Sequence, residues 1–250
     1  MTYALRTQNL SKHWGAFKAN SEISMALPSG ARHALIGPNG AGKTTFINLL
    51  TGVHAPTSGD VFLGDDRVTN LPQHQRVKRG MTRTFQINTL FPGLTVLESV
   101  LLAVCERKGV ATRWRKTVAQ GHEEIDEAFA VLQSLHLERD ADTVTRNLAY
   151  GRQRLVEIAL ALATRPKILL LDEPAAGIPA AESAELFAVL TQLPRDVTIL
   201  FIEHDMSLVF RFAERITVLV GGRFLVEGTP AEIAADKRVK EVYLGEAQHG

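Results

Sequence analysis

Gly37-Pro38-Asn39-Gly40-Ala41-Gly42-Lys43-Thr44, eight residues of this 250-residue chain, fit the phosphate-binding pattern G-x-x-x-x-G-K-[ST]. Glycines at such spacing let the backbone curl, so that successive N–H groups converge on phosphate oxygens. A helix following the loop adds about half a positive charge at its N-terminus. Lys43 then suits the β- and γ-phosphates, and the Thr44 hydroxyl suits Mg²⁺. With glycine at about 7% usage, chance produces this pattern in roughly one chain of this length per hundred. The flanks sharpen it further. Residues 31–36 read as a largely apolar strand, and 44–50 have helical spacing with Phe46, Leu49 and Leu50 on one side.

Working outward, residues 168–171 are apolar and run into Asp172-Glu173. An interior strand has no reason to finish on adjacent carboxylates unless both emerge at the carboxyl edge of a sheet, where ligands sit in open parallel sheets. Strand alternation places the two side chains on opposite faces. Asp172 then suits Mg²⁺, and Glu173 suits polarising a water. Residues 197–202 likewise end on Glu203-His204-Asp205, which puts His204 where it can bond a terminal phosphate and the attacking water. Phe85-Gln86 closes another short strand, and Gln86 is a neutral group able to reach Mg²⁺ or water.

The rest of the chain supports an α/β fold. Ile23, Met25 and Leu27 alternate with polar residues as in one half-buried strand, turned by Pro28-Ser29-Gly30. Short strands are predicted at 59–63 and 82–85, and a helical pattern over 95–137. Beyond Gly151 come a helix to Ala163, strand 168–171, helix 182–193, strand 197–202, helix 206–212 and strand 216–220. Such alternation implies a mostly parallel sheet covered on both faces, with the helical block before Gly151 inserted into it.

Composition agrees. The hydrophobic share is 45% and the charged share 22%, which suits a chain with a sizeable core and excludes disorder and small disulfide scaffolds. Lys plus Arg is 28 against 27 for Asp plus Glu, a net charge of +1 that speaks against a nucleic-acid partner. Cys105 is the only cysteine, so an internal disulfide is excluded and a reducing cytosol is the simplest compartment. No run of roughly 18 apolar residues is present. The charged run 107–116, with Trp114, reads first as a solvated face and more sharply as a partner surface.

Taken together, these residues resemble the nucleotide-binding subunit of ATP-binding-cassette (ABC) transporters over nearly the whole length. Thr84-Phe85-Gln86 looks like the family's Q-loop, 168–173 like its Walker B strand, and His204 like its switch histidine. Leu148-Ala149-Tyr150-Gly151-Arg152-Gln153-Arg154 resembles the signature sequence, and Trp14 falls where the family places a ring against adenine. Leu-Ala-Tyr-Gly at 148–151, Asp172-Glu-Pro-Ala-Ala-Gly177 and the tail from Val239 to Glu246 are similar to the ATPase subunits of branched-chain amino-acid uptake systems and their amide- and urea-importing relatives. Two positions depart from the pattern. Ala149 stands for the usual signature serine, and Pro179 for the D-loop aspartate.

The resemblance implies a single cassette over 1–250: a RecA-like phosphate-loop core with a small antiparallel β region (1–86 and 151–250) and a helical subdomain (87–150) that leads into the signature at 148–154. ATP and Mg²⁺ are the implied ligands. Residues 37–45, including Thr45, bind one face of ATP, with Thr44, Gln86 and Asp172 at the metal. Leu148, Ala149, Tyr150, Gly151 and Gln153 of a second ATPase chain, identical or paralogous, bind the other face. Glu173, His204 and Gln86 carry catalysis. Transmembrane permease subunits and, indirectly, a solute-binding protein complete the implied assembly, on the cytoplasmic face of the inner membrane. The catalytic motifs alone do not separate import from lipid or lipopolysaccharide export. A non-transport ABC ATPase usually carries a long coiled coil or tandem cassettes, and neither occurs here. A GTPase would need Asp-x-x-Gly and Asn-Lys-x-Asp, also both lacking.

Overall fold

The computed structural model describes residues 2–84, 90–110 and 122–246. Among them the strands are β1 (Tyr3–Trp14), β2 (Phe17–Ile23), β3 (Ala26–Pro28), β4 (Arg32–Ile36), β5 (Ser58–Leu63) and β6 (Asp66–Arg67). The remainder are β7 (Met81–Arg83), β8 (Ile168–Asp172), β9 (Thr198–Ile202), β10 (Arg215–Val220) and β11 (Arg223–Gly228). The chain divides into two compact units. One comprises Met1–Met81, Lys167–Pro174 and Pro194–Gly250; the other comprises Thr82–Pro166 and Ala175–Leu193.

The first unit holds two sheets. The larger runs β11-β10-β4-β9-β8 and then β7, of which only Met81 belongs to this unit, with β10, β4, β9 and β8 mutually parallel and β11 antiparallel on the edge. Every residue of β4 and β9 is buried, as expected for parallel strands covered on both faces. The smaller sheet is antiparallel, ordered β2-β1-β5-β6, with β3 also paired to β1. Phe46, Ile47, Leu49 and Leu50 of the helix Lys43–Thr51 share one core with Leu10, Ile23 and Leu27 of the small sheet and Leu35, Leu170 and Leu200 of the large one. Burying each such side chain contributes about 1.5–3 kcal/mol. The helix that follows the phosphate loop is therefore fixed on its apolar side.

Two features differ from the sequence expectation. The long strand β1 has no clean two-residue period, because Asn9 sits at φ 47° and the register with β5 shifts between Gln8 and Ser11. The single strand expected through Ile23, Met25 and Leu27 is divided into β2 and β3, with Glu22 at φ 54°. All three side chains stay buried. The ladder breaks because the Thr7 hydroxyl accepts from the Met25 N–H at 2.9 Å and donates to the Ile23 carbonyl at 3.0 Å.

The second unit is mostly helical. Thr95 and Glu98 form a capping box that starts the helix Val96–Arg107. Arg107 pairs with Glu127 at 2.6 Å and donates to the Ala163 carbonyl at 2.9 Å, while Lys108 contacts Glu123 and Glu124 at 3.0 Å. These two residues of the charged run are thus committed to ion pairs inside the unit. Its later residues, 111–116 with Trp114, lie outside the described residues. Cys105 is buried and makes no disulfide.

His33 in β4 is 1% exposed, its Nε2 lies 2.7 Å from Thr217 Oγ1, and its Nδ1 has no partner among the described residues. Burial pushes the imidazole down to about 4; nearby Glu227 opposes this and Arg215 adds to it. The folded state therefore prefers the neutral ring. That contribution is complete above the unfolded value of about 6.5 and is lost as pH falls from there toward 4. Urea unfolding at pH 7.5 and 4.5 should show His33→Gln losing about 2 kcal/mol less stability over this interval than wild type. Equal losses would exclude His33 as the source.

Candidate nucleotide-binding site

The register of three parallel strands assembles the site. Leu35 and Asp172 both pair with Ile202, so β4, β9 and β8 end level at one sheet edge. From that edge emerge the phosphate loop, the Asp172-Glu173 pair and His204, all within the first unit. β8 stops at Asp172. Glu173 then turns left-handed at φ 50° while its N–H still donates to the Ile202 carbonyl at 3.0 Å. The alternation expected for the two carboxylates consequently ends one residue early, and the left-handed turn sets the direction of Glu173. Such a conformation costs a non-glycine residue about 1–3 kcal/mol and persists only where the surroundings impose it. Glu173 Oε1 lies 2.6 Å from His204 Nε2, both side chains being a little under half exposed. A carboxylate only accepts, so His204 is the donor through Nε2. Asp205 is a helix cap, accepting from the Ser207 N–H at 2.8 Å and hydroxyl at 2.6 Å; these bonds hold its carboxyl below the usual range.

The loop is packed as closely as its glycines allow. A Cβ at Gly37 would lie 2.0 Å from the Leu219 carbonyl oxygen; at Gly42, where φ is 100°, it would lie 2.4 Å from that of Ala19. Asn20, fully buried, donates from Nδ2 to the Gly42 carbonyl at 3.3 Å, and the Gly222 N–H donates to that of Ala41 at 2.9 Å. These two supports were not legible in the sequence, because they arrive from β2 and from the turn before β11. Lys43 is buried and spans the loop, donating to the Gly37 carbonyl at 2.5 Å and that of Pro38 at 2.9 Å. Asn39, Gly40 and Thr44 are exposed, Pro38 and Thr45 half-buried.

Among the described residues no group of three or more His, Cys, Asp or Glu could cage a metal ion. Mg²⁺ does not require a cage; one or two protein oxygens with substrate phosphates and water suffice. The Thr44 hydroxyl and the Asp172 carboxylate fit that donor set. Gln86 lies outside the described residues.

Trp14 ends β1, 46% exposed. Its ring meets that of His54 edge-on at 5.7 Å, and Lys12 Nζ stands 5.4 Å from the indole centroid. The indole is braced yet open to a planar ligand.

Residues 148–153 belong to the second unit. Ala149 is the N-cap of the helix Tyr150–Ala163, with no side-chain cap. The free N–H groups of that first turn are therefore unsatisfied by a cap. Gln153 donates from Nε2 to the Leu148 carbonyl at 2.9 Å and closes the turn. Tyr150 is exposed, with the Arg154 guanidinium 5.5 Å from its ring centroid. A Cβ at Gly151 would lie 2.5 Å from Glu182 Oε2, so the end of that side chain would have to move to admit one. Pro179 is the N-cap of the helix Ala180–Gln192, so the missing aspartate leaves a helix start in its place.

A phosphate loop beside paired carboxylates on a mostly parallel sheet, with an antiparallel sheet and a helical unit, defines a nucleotide-binding cassette. The chain belongs to the ABC transporter family, which residues 20–176 match; residues 225–249 match the branched-chain amino acid ATP-binding cassette transporter family. It is 40% identical over 250 residues to the high-affinity branched-chain amino acid transport ATP-binding protein LivG of Salmonella typhimurium, covering 97% of this chain and 98% of that one. Against the corresponding BraF protein of Pseudomonas aeruginosa the identity is 37%, with the same coverage. An ATP-binding cassette of an ABC transporter in its ADP conformation superposes with a TM-score of 0.83 at 31% identity, over 98% of this chain and 99% of that one. A dimeric bacterial ABC transporter cassette gives 0.72 at 26%, over 90% and 98%. No helix among the described residues is long and apolar enough to cross a membrane.

Two outcomes follow from this geometry. Ala149→Ser should supply the missing cap and raise stability to urea by about 1 kcal/mol; an unchanged midpoint would show the first turn already satisfied. In a Trp114→Phe background, saturating ATP should alter Trp14 fluorescence, and unaltered emission would remove Trp14 from the base-binding surface.

Proposed function

We propose that this chain hydrolyses ATP to drive a membrane importer of branched-chain amino acids or related amides. The observation that carries the catalytic part is Glu173, held at the sheet edge by His204 beside the phosphate loop. Lys43 and the loop N–H groups neutralise and orient the β- and γ-phosphates. Thr44 and Asp172, with Gln86, hold Mg²⁺, which when bound neutralises charge on the phosphate oxygens. Glu173 accepts the proton of the attacking water as a general base, and His204, 2.6 Å away, keeps its carboxylate aimed. Little covalent chemistry is needed beyond positioning and charge neutralisation.

Residues 148–153 of a second chain, a copy or a paralogue, close over the nucleotide in this proposal. Their free N–H groups replace the signature serine that Ala149 lacks, and the dimeric cassette among the similar structures supports the arrangement. Permease subunits receive the motion through the helical subdomain at the cytoplasmic face of the membrane, and a solute-binding protein delivers the cargo. The amino-acid class rests on the LivG and BraF likeness and on the tail matched at 225–249. Reconstitution with the cognate permeases and binding protein tests it. ATP turnover should rise with leucine, isoleucine or valine, whereas stimulation by lipid alone would favour export.

Glu173→Gln keeps the shape and deletes the charge. Turnover should fall roughly 10²–10⁴-fold with ATP still bound, and size-exclusion chromatography should then show a dimer that depends on Mg-ATP. Near-normal turnover would reject Glu173 as the base. Lys43→Ala should abolish turnover and weaken binding as well; hydrolysis at the wild-type rate would overturn the phosphate-loop assignment.

A further inference from the structure

Arg76 is 1% exposed, an unusual place for a guanidinium. It lies in the short helix Gln73–Lys78 and reaches the far end of the helix Lys43–Thr51. Nη1 donates to the carbonyls of Leu49 at 2.8 Å and Leu50 at 2.6 Å, Nη2 to Thr69 at 2.7 Å, and Nε to Leu71 at 3.0 Å. Gly52 is pressed against it, since a Cβ there would stand 2.8 Å from Nε. No carboxylate among the described residues pairs with Arg76. Asp60, on neighbouring β5, is engaged by Arg67 at 2.6 Å and by the Thr69 hydroxyl at 2.9 Å. Burial pulls the guanidinium down to about 10, so it stays charged at neutral pH.

Neutral donors would satisfy those carbonyls, and burying an unpaired charge is expensive. The cost acquires a purpose along the helix axis. Leu49 and Leu50 lie in the last turn, where the helix presents its negative pole, and the phosphate loop lies at the other end. Nine residues span only about 13 Å at 1.5 Å per residue. We infer that Arg76 is a positioning residue for nucleotide phosphate: a buried cation that cancels the negative pole of the loop's helix and leaves its positive pole unopposed at the loop. The anion that balances Arg76 is then the bound nucleotide itself. This inference rests on the assignment of residues 37–44 as a phosphate site.

The test measures binding of MgATP, MgADP and adenosine, ligands of decreasing negative charge ending at neutral, to the full-length wild type, Arg76→Gln and Arg76→Lys. Gln keeps donors to the carbonyls and removes the charge. It should weaken MgATP on the order of tenfold and MgADP about threefold, leaving adenosine unchanged, as a charge acting across this distance requires. Lys keeps the charge and loses the planar fork, so its preference for MgATP over adenosine should stay close to wild type. Equal weakening of all three ligands in Arg76→Gln would make Arg76 a scaffold residue and overturn the inference. If Arg76→Gln does not fold, Arg76→Lys decides: retained MgATP preference supports it and selective loss of MgATP overturns it. A wild type that binds adenosine but neither MgATP nor MgADP would fail differently, removing the phosphate site itself.

Discussion

A backbone can wrap a phosphate only where it comes nearer to its neighbours than a Cβ permits. That steric condition governs this molecule. At Gly37 the loop lies against β10, and at Gly42 against β2, at separations no side chain could occupy. The close approach brings elements from both sheets to one loop. Asn20 and Gly222 then bond its carbonyls from outside, and Lys43 does so from within. The apolar side of the helix Lys43–Thr51 fixes the loop's base in the core between the sheets. Any shift of this helix would carry the loop with it.

The sheet edge beside the loop obeys a related logic of imposed geometry. Parallel pairing of β4, β9 and β8 brings three strand ends into line, which is what places carboxylates beside a phosphate loop at all. The left-handed backbone at Glu173 is held by the bond to Ile202, and its side chain by His204. Strain there is tolerable because neighbours on a rigid sheet over-determine it. The signature residues sit in the other compact unit, on a helix whose first turn lacks a side-chain cap. The phosphate loop, the paired carboxylates and His204 thus share the first unit, and the signature residues lie in the second. That suits a proposed cycle in which a nucleotide joins two chains.

The phosphate-loop pattern and the polar residues at the strand ends are visible in the sequence by itself. Lys43 stands out by its place after the glycines of 37–42, and Asp172, Glu173 and His204 by their place at the ends of short apolar strands, patterns that depend only on neighbours along the chain. The helices after Gly151 and the parallel character of the large sheet came from the same source, since hydrophobic period survives without knowledge of partners. Tertiary contacts decided the rest. β1 was hidden because a bulge at Asn9 breaks its period, and β2 parts from β3 because Thr7, distant in sequence, takes the hydrogen bonds between them. Glu173 leaves the strand alternation because its backbone turns left-handed there, although its N–H still reaches the Ile202 carbonyl. Nothing near Asn20 or Arg76 in sequence marks either as a support of the phosphate loop. Their roles exist only once β2 and the helix Gln73–Lys78 fold against Gly42 and against Leu49 and Leu50. Sequence specifies which groups are able to bind or react. Where a carbonyl from a distant element will stand, and so which side chain must meet it, is settled by packing alone.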